Sequence, residues 1–472
     1  MGKIPDDFCG YLSLGEDTFS YYIAGGIVTL LPAYDEPARQ YDAFRRVQSR
    51  VTASSEFLYG SDGNTSIAML RNGDIQTGFF GINMSARFAT PLIVKAAGNA
   101  VGYFNMLTER WDKFHAITFV GGNINALYDP QIAVEQPDYN ELQGLDGVRT
   151  IQLRSWNSYT KEISFVVKDN PVTLAISISQ VREHSDNERM NKYSLGELSS
   201  FIRLSFENSQ DLDKIEHYYM IARSLVAILT RQNNISFDEI YLSQRNEQNL
   251  YFKSADCKLY DYYENYSIKQ WHQTIQILSI FERLPRLIEM IDTGKANVLL
   301  DVLPDDNKEV NRISITNVQD LCTALEVAYD WEYADEKREK DKLIDELKKD
   351  IKITIKEFCN QHKNEIDVNN ETTISSSFQY LSYTLATRIY VLYCENKEII
   401  DAVTERRSLS PIDENAILSF TRLRNKKVHD GMIEWGNSAQ VYPSLLALLY
   451  SCLLKHIGIP YDRVNAIIQS IF

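Results

Sequence analysis

The hydrophobic spacing of this chain changes once along its length, and that change limits the folds open to it. Up to about residue 205 the apolar residues alternate with small or polar ones in short runs. Val172-Thr173-Leu174-Ala175-Ile176-Ser177-Ile178-Ser179 is the clearest, and Ile163–Val167, Ile202–Phe206 and His115–Val120 are similar. A spacing of two puts one side of each run on a core and the other toward water, as half-buried strands require. Asp62-Gly63, Asn72-Gly73 and Gly121-Gly122 punctuate these runs, which predicts hairpins in an antiparallel sandwich or barrel. Farther on, apolar residues recur at three- and four-residue steps, the period of an amphipathic helix. Ile215, Tyr218, Ala222, Leu225 and Leu229 share one face. Leu343, Leu347, Ile351 and Ile355 share another, joined by Ile344 and Phe358, while the charged run Glu332–Lys349 covers the opposite side.

The expected fold class is therefore α+β. Residues 1–205 form an N-terminal antiparallel β-rich domain, 206–312 a mixed and mainly helical connecting region, and 313–472 a C-terminal all-α bundle of four or five helices. Ile235–Leu242 is a short β-like piece inside the connecting region. Ile268–Ile291 reads as a helix kinked or split by Pro285. Tyr260–Tyr266 is dense in tyrosine and suits packing between domains better than base stacking, because acids interleave it. Leu303-Pro304-Asp305-Asp306-Asn307-Lys308 is the best linker.

With 28 Tyr, 20 Phe and 44% apolar residues in 472, there is ample side-chain area for packed cores, which excludes a disordered chain. Twelve Pro and six Cys exclude collagen-like and disulfide-scaffold classes. The cysteines show no metal or redox spacing and read as reduced core thiols of a cytoplasmic protein. The N-terminus has no apolar signal core, and Asp6 breaks the myristoylation pattern. The longest apolar stretch, Leu445–Leu454, is about half of the ~20 residues that span a bilayer. No membrane association is expected.

A net charge of −15 excludes a general nucleic-acid coat, since phosphate contacts need clustered cations. Any nucleic-acid chemistry must use a local basic patch, and Thr404–His429 supplies one: six basic residues against three acidic. Phosphate-binding loops, the dinucleotide fingerprint, the nucleophile elbow and the paired-histidine zinc motif are all absent.

One segment in that patch carries chemistry. Ser410 is placed to cap a helix, Pro411 suits its first turn, Asp413 completes a capping-box-like pattern, and Gly431 suits its end. Ile417, Phe420, Arg424 and Val428 follow each other at helical steps, so a guanidinium falls within the apolar stripe and must find an anion or acceptors. Asn425 and His429 lie four apart on its flank, where an amide can orient an imidazole. A cation, an imidazole titrating near neutrality and an orienting amide suit cleavage of RNA, whose 2′-OH is an internal nucleophile. One base takes its proton, one acid protonates the leaving oxygen, and the arginine neutralises the phosphorane. The candidate catalytic residues are Arg424, Asn425 and His429, and the candidate RNA-binding residues are Arg422, Lys426 and Lys427. Arg45, Arg46 and Arg50 read better as a solvated basic edge than as a second RNA contact. The motif supplies one histidine per chain, which favours a two-fold homodimer or higher homo-oligomer with a shared cleft.

The ungapped run Arg424-Asn425-Lys426-Lys427-Val428-His429 resembles the signature of the HEPN superfamily nucleases. Leu423–Gly431 is especially similar to the ApeA-like branch. Leu321–Trp331, with Ala324-Leu325-Glu326, looks like the first helix of that branch. Cys9-Gly10-Tyr11-Leu12 and the run Trp111–Pro130 are diffusely similar to its N-terminal domain. The resemblance implies an all-α nuclease domain that cleaves RNA, tRNA being the expected substrate, in dimer-formed sites without metal or other cofactor. It also implies antiphage defence by abortive infection, the β-rich half sensing a phage-derived trigger or restraining the nuclease. Arg424 and His429 would be catalytic and Asn425 would support them; Glu326 takes no assigned role. The competing expectations are a non-catalytic dimerisation or nucleotide-binding protein and the toxin of a toxin–antitoxin pair.

Overall fold

A computed structural model of the chain describes residues 4–50, 55–80, 83–97, 109–135, 152–168, 170–183, 194–260, 273–304, 313–362, 384–424 and 438–472. The chain divides into two compact units, Met1–Thr293 and Gly294–Phe472.

The first unit is antiparallel. Its opening strands are β1 (Phe8–Leu14), β2 (Asp17–Ala24), β3 (Ile27–Pro32), β4 (Ser55–Ser61), β5 (Ser66–Phe80) and β6 (Asn83–Ala96). Pairing runs β1–β2–β3–β6–β5–β4 and returns to β1, which closes a six-stranded barrel. Gly25 and Gly26, at φ 55° and 75°, form the two-residue turn between β2 and β3; positive φ at both positions gives the turn the twist a hairpin needs. The seam between β1 and β4 is short, pairing Tyr11 with Ser61 and Leu12 with Gly60. Glycine is required there: a Cβ on Gly10 would overlap the Ser61 carbonyl, and one on Gly60 would lie 2.7 Å from the Tyr11 carbonyl oxygen.

Inward-facing Phe19, Ile23, Val28, Leu30, Ile67 and Met69 fill the barrel. Helix α1 (Pro37–Arg50) adds Ala43 and Phe44 to the same core, with the Phe44 ring 5.6 Å from Phe19. Arg46 anchors α1 through two bonds to the buried Asp17, Nε to Oδ2 at 2.8 Å and Nη2 to Oδ1 at 2.6 Å. The basic edge expected at Arg45 and Arg46 is thus partly structural: Arg45 is exposed, and Arg46 holds a carboxylate of its own unit. The side chain of Arg50 lies outside the described residues.

Strand β6 leaves the barrel and joins a larger sheet. Ala86–Ala89 pair with β3, and Leu92–Ala96 pair with a later strand at Ala255–Leu259, the switch falling at Thr90-Pro91. Proline has no N–H to give a ladder, so it fits the point where one partner ends and the next begins. Beyond it lie β7 (Lys113–Val120), a one-turn α2 (Ile124–Leu127), the small pair β8 (Val134–Glu135) and β9 (Gln152–Leu153), and a one-turn α3 (Trp156–Tyr159). Then come β10 (Lys161–Val167), β11 (Asn170–Glu183), β12 (Ser194–Asp211), α4 (Ile215–Thr230), β13 (Glu239–Arg245), β14 (Tyr251–Leu259) and α5 (Leu284–Asp292). The strand that takes over from β3 along β6 is β14, and the sheet continues β14–β13–β7–β12–β11–β10.

All four predicted runs are strands, and the expected apolar face of α4 is buried. Three expectations differ. Only Asp62-Gly63 makes a hairpin; Asn72-Gly73 is an irregularity inside β5, and Gly121-Gly122 turns β7 into α2, with the Gly122 N–H donating to Asp238 at 2.7 Å. The connecting region 206–312 is not separate: β13 and β14 hydrogen-bond into the first unit's sheet, and the chain passes from one unit to the next after Thr293. Pro285 does not split a long helix; it sits in the first turn of α5, where its missing N–H costs nothing. Residues 261–272, with most of the tyrosine-dense stretch, and 305–312, with most of the linker, lie outside the described residues.

The second unit is helical throughout its described residues: the one-turn α6 (Asn297–Leu300), α7 (Ile315–Gln361), α8 (Leu385–Glu395), α9 (Lys397–Arg406), α10 (Glu414–Arg424), α11 (Ser438–His456) and α12 (Tyr461–Ile471). Among the described residues that gives six substantial helices where four or five were expected, because Asn396 separates α8 from α9 and α12 adds another. Leu321, Leu325, Ile389, Ile417, Phe420 and Leu448 share its fully buried core. Helix α7 bends at Tyr333, whose φ of −124° leaves the helical range. Past the bend, Leu343, Leu347 and Phe358 of the predicted apolar stripe are exposed. Among the described residues no helix is long and apolar enough to cross a membrane. All six cysteines are free thiols, but Cys9 and Cys394 are exposed rather than in a core.

Candidate active site

Arg424, the first residue of the predicted site, lies in the helical unit, where α7, α8 and α10 converge. Each helix is fixed by its own local signals. Ser314 and Asn317 cap α7 reciprocally, and Val318, Leu321, Cys322, Leu325 and Ala328 bury its inner stripe. Thr384 caps α8 by accepting the Thr387 N–H at 3.2 Å. Helix α10 starts later than expected. Its cap is Asp413, whose Oδ1 accepts the Ala416 N–H at 2.7 Å, while Ser410 donates instead to Gln440. The expected cap at Ser410 is therefore not formed, and Asp413, expected only to complete its capping box, caps the helix instead, a carboxylate there also matching the positive end of the helix dipole.

The α10 stripe behaves as its spacing predicts. Ile417 and Phe420 are fully buried, and Arg424 at the next step is half-buried. Its guanidinium finds the anion that burial demands: Nη1 lies 3.5 Å from Oε2 of Glu326 on α7. The other Glu326 oxygen, Oε1, accepts from Nη1 of Arg388 on α8 at 3.0 Å. One carboxylate thus bridges two guanidinium groups, leaving a formal charge of +1. Arg388 is the more enclosed, with 12% of its side chain exposed against 35% for Arg424 and 37% for Glu326. Its guanidinium also stands 5.7 Å from the centre of the Tyr329 ring, a cation–π distance. Gln319 donates to the Arg424 carbonyl at 3.2 Å and ties the end of the described helix to α7.

Gln319, Cys322, Glu326 and Tyr329 recur at three- and four-residue steps, so one face of α7 lines the cluster. Burial pushes the Cys322 thiol up to about 12, against the pull of Arg424, so it stays protonated and is no nucleophile at neutral pH. Among the described residues no three His, Cys, Asp or Glu side chains could hold a metal ion together.

Of the sequence-predicted residues, Arg424 stands in the cluster and Arg422 is exposed. Asn425, Lys426, Lys427, His429 and Gly431 lie outside the described residues. Within the basic patch, Arg406 donates to the Gln469 carbonyl and Arg407 to the Phe472 carbonyl, so two of its six cations hold the end of α12. Arg388 was not among the candidates. Its signal is legible in retrospect: it is the only charge between Thr384 and Cys394, one residue before the buried Ile389.

Neither a scan against protein-family models nor searches of curated proteins and of solved structures finds a match to this chain.

Proposed function

We propose that the helical unit is a metal-independent RNA endonuclease in which Arg424, Asn425 and His429 act together. The observation that carries this reading is Arg424 itself: the guanidinium opening the Arg-Asn-x-x-x-His run is half-buried and oriented by a carboxylate from another helix. A cation so held is pre-organised to meet a developing phosphorane charge, which such fixed charges stabilise at no reorganisation cost. His429 transfers the proton of the 2′-OH or of the leaving 5′-oxygen, and Asn425 orients its ring. Both steps occur when two chains pair and bring two histidines to one cleft. The resemblance to the ApeA-like HEPN branch extends the proposal to tRNA as substrate and to abortive infection as the setting.

The test is incubation of the wild type, Arg424→Ala and His429→Ala with total RNA in EDTA. Cleavage by the wild type alone, leaving 2′,3′-cyclic phosphate ends, is expected, with each variant slower by about 10²–10³-fold. Cleavage of DNA, which lacks the 2′-OH, or full activity of His429→Ala overturns the mechanism.

A further inference from the structure

We propose that Arg388 and Arg424 form a two-guanidinium receptor for a backbone phosphate, and that the Glu326 carboxylate occupies it as an internal anion until RNA arrives. The proposal rests on the reading of this cluster as the place where RNA binds, and it adds a residue and a regulatory contact to that reading.

Three observations support it. Glu326 gives one oxygen to each arginine, so a single anion already satisfies both cations. A phosphate presents the same pair of acceptor oxygens, and guanidinium groups bind phosphate and carboxylate by the same forked geometry. Second, the two contacts are unequal. Arg388 is held at 3.0 Å and is largely enclosed, whereas Arg424 is held at 3.5 Å, at the long limit of a hydrogen bond, and is partly open to water. Exchange of the anion therefore begins on the Arg424 side. Glu326 is itself 37% exposed, so its carboxylate can rotate into water without becoming a buried unpaired charge. Third, Arg388 keeps donor capacity in reserve: its Nε is buried and has no hydrogen-bond partner among the described residues. It also sits in the first turns of α8, where the helix dipole disfavours a cation and favours an anion. The same helix end would favour an incoming phosphate.

In this arrangement Glu326 orients both arginines and competes with substrate for them. Its removal has opposite consequences under the two roles. As a competitor, its loss strengthens phosphate binding; as a positioning residue alone, its loss weakens it.

The experiment uses the full chain and a 2′-O-methyl RNA oligonucleotide, which keeps the phosphates and blocks cleavage, with binding read by fluorescence anisotropy over a range of salt. Glu326→Gln is expected to bind about tenfold more tightly and Arg388→Gln about tenfold more weakly, the size of one charge-assisted hydrogen bond. The salt slope of Arg388→Gln should fall by about 0.7, one phosphate contact on a single strand. Arg388→Lys, which keeps the charge and the Glu326 pair but not the fork, should bind with intermediate affinity; thermal melts identify any variant that has not folded. Weaker binding by Glu326→Gln, or unchanged affinity and slope in both Arg388 variants, overturns the proposal. If wild-type RNA is cleaved while Arg388 substitutions leave binding unchanged, the receptor fails and the nuclease survives. If the affinities shift as expected while no RNA is cut, the receptor stands and the nuclease reading fails.

Discussion

The Glu326–Arg388 contact makes a stability prediction that does not depend on any activity. Glu326→Gln keeps the side-chain shape and removes the charge facing two guanidinium groups. At ~4 Å and an effective dielectric near 20, a pair of unit charges attracts by about 4 kcal/mol, an upper bound for either contact. The carboxylate is 37% exposed, so water screens it, and the Arg424 contact at 3.5 Å between two half-exposed groups adds little. Most of the loss comes from Arg388, which is 12% exposed and would keep its charge with one partner fewer. The net cost is about 1–2 kcal/mol, which for a unit of this size lowers its Tm by roughly 3–6 °C. Because the chain has two units, the assay should locate the effect. Calorimetry on the full chain gives the transition, and hydrogen exchange of peptides from α7 and α8 assigns it. A double-mutant cycle with Arg388→Gln should return a coupling of about 1 kcal/mol. Strictly additive effects, or exchange that changes only in the first unit, would refute the argument that one carboxylate holds these helices' cations.

Two further predictions concern the barrel. Asp62 is partly desolvated, which raises its pKa, but Lys95 at 2.6 Å and the Asn64 and Thr65 N–H groups outweigh this and hold it well below the usual carboxylate range. A depressed carboxylate contributes stability that is present above its unfolded value near 4 and lost as pH falls below it; urea denaturation at pH 5 and pH 3 should therefore show a smaller acid loss in Asp62→Asn than in the wild type. Arg46→Ala should lower the urea midpoint more than Asp17→Ala, since it leaves the buried Asp17 carboxylate without its guanidinium, whereas Asp17→Ala leaves an Arg46 side chain that is already 48% exposed to water; the reverse order would show that the buried charge is not what makes this pair costly to break.

Local pattern made much of this molecule legible. The period-two runs are strands and the α4 face is buried because both signals arise from residues near in sequence. The barrel is harder to read. Its closure depends on Gly10 and Gly60 allowing two strands to approach, and neither glycine differs in sequence from one in an ordinary turn. The start of α10 was placed too early, at Ser410, and only geometry shows that Asp413 meets the Ala416 N–H while Ser410 turns to Gln440. The candidate site was half visible. Arg424 announced itself as a charge inside an apolar stripe, but Glu326 and Arg388 lie 98 and 36 residues away, and nothing in spacing alone brings three helices to one point.

The path of β6 has a consequence for how the first unit comes apart. One edge of the strand is bonded to β5 along most of its length, and the other passes from β3 to β14 at Pro91, so barrel and open sheet share a spine. Neither can be excised as a fragment without baring a row of unpaired amides. Mechanical or chemical stress on one half must be felt by the other, and the amides of this spine should be the last in the unit to yield to exchange.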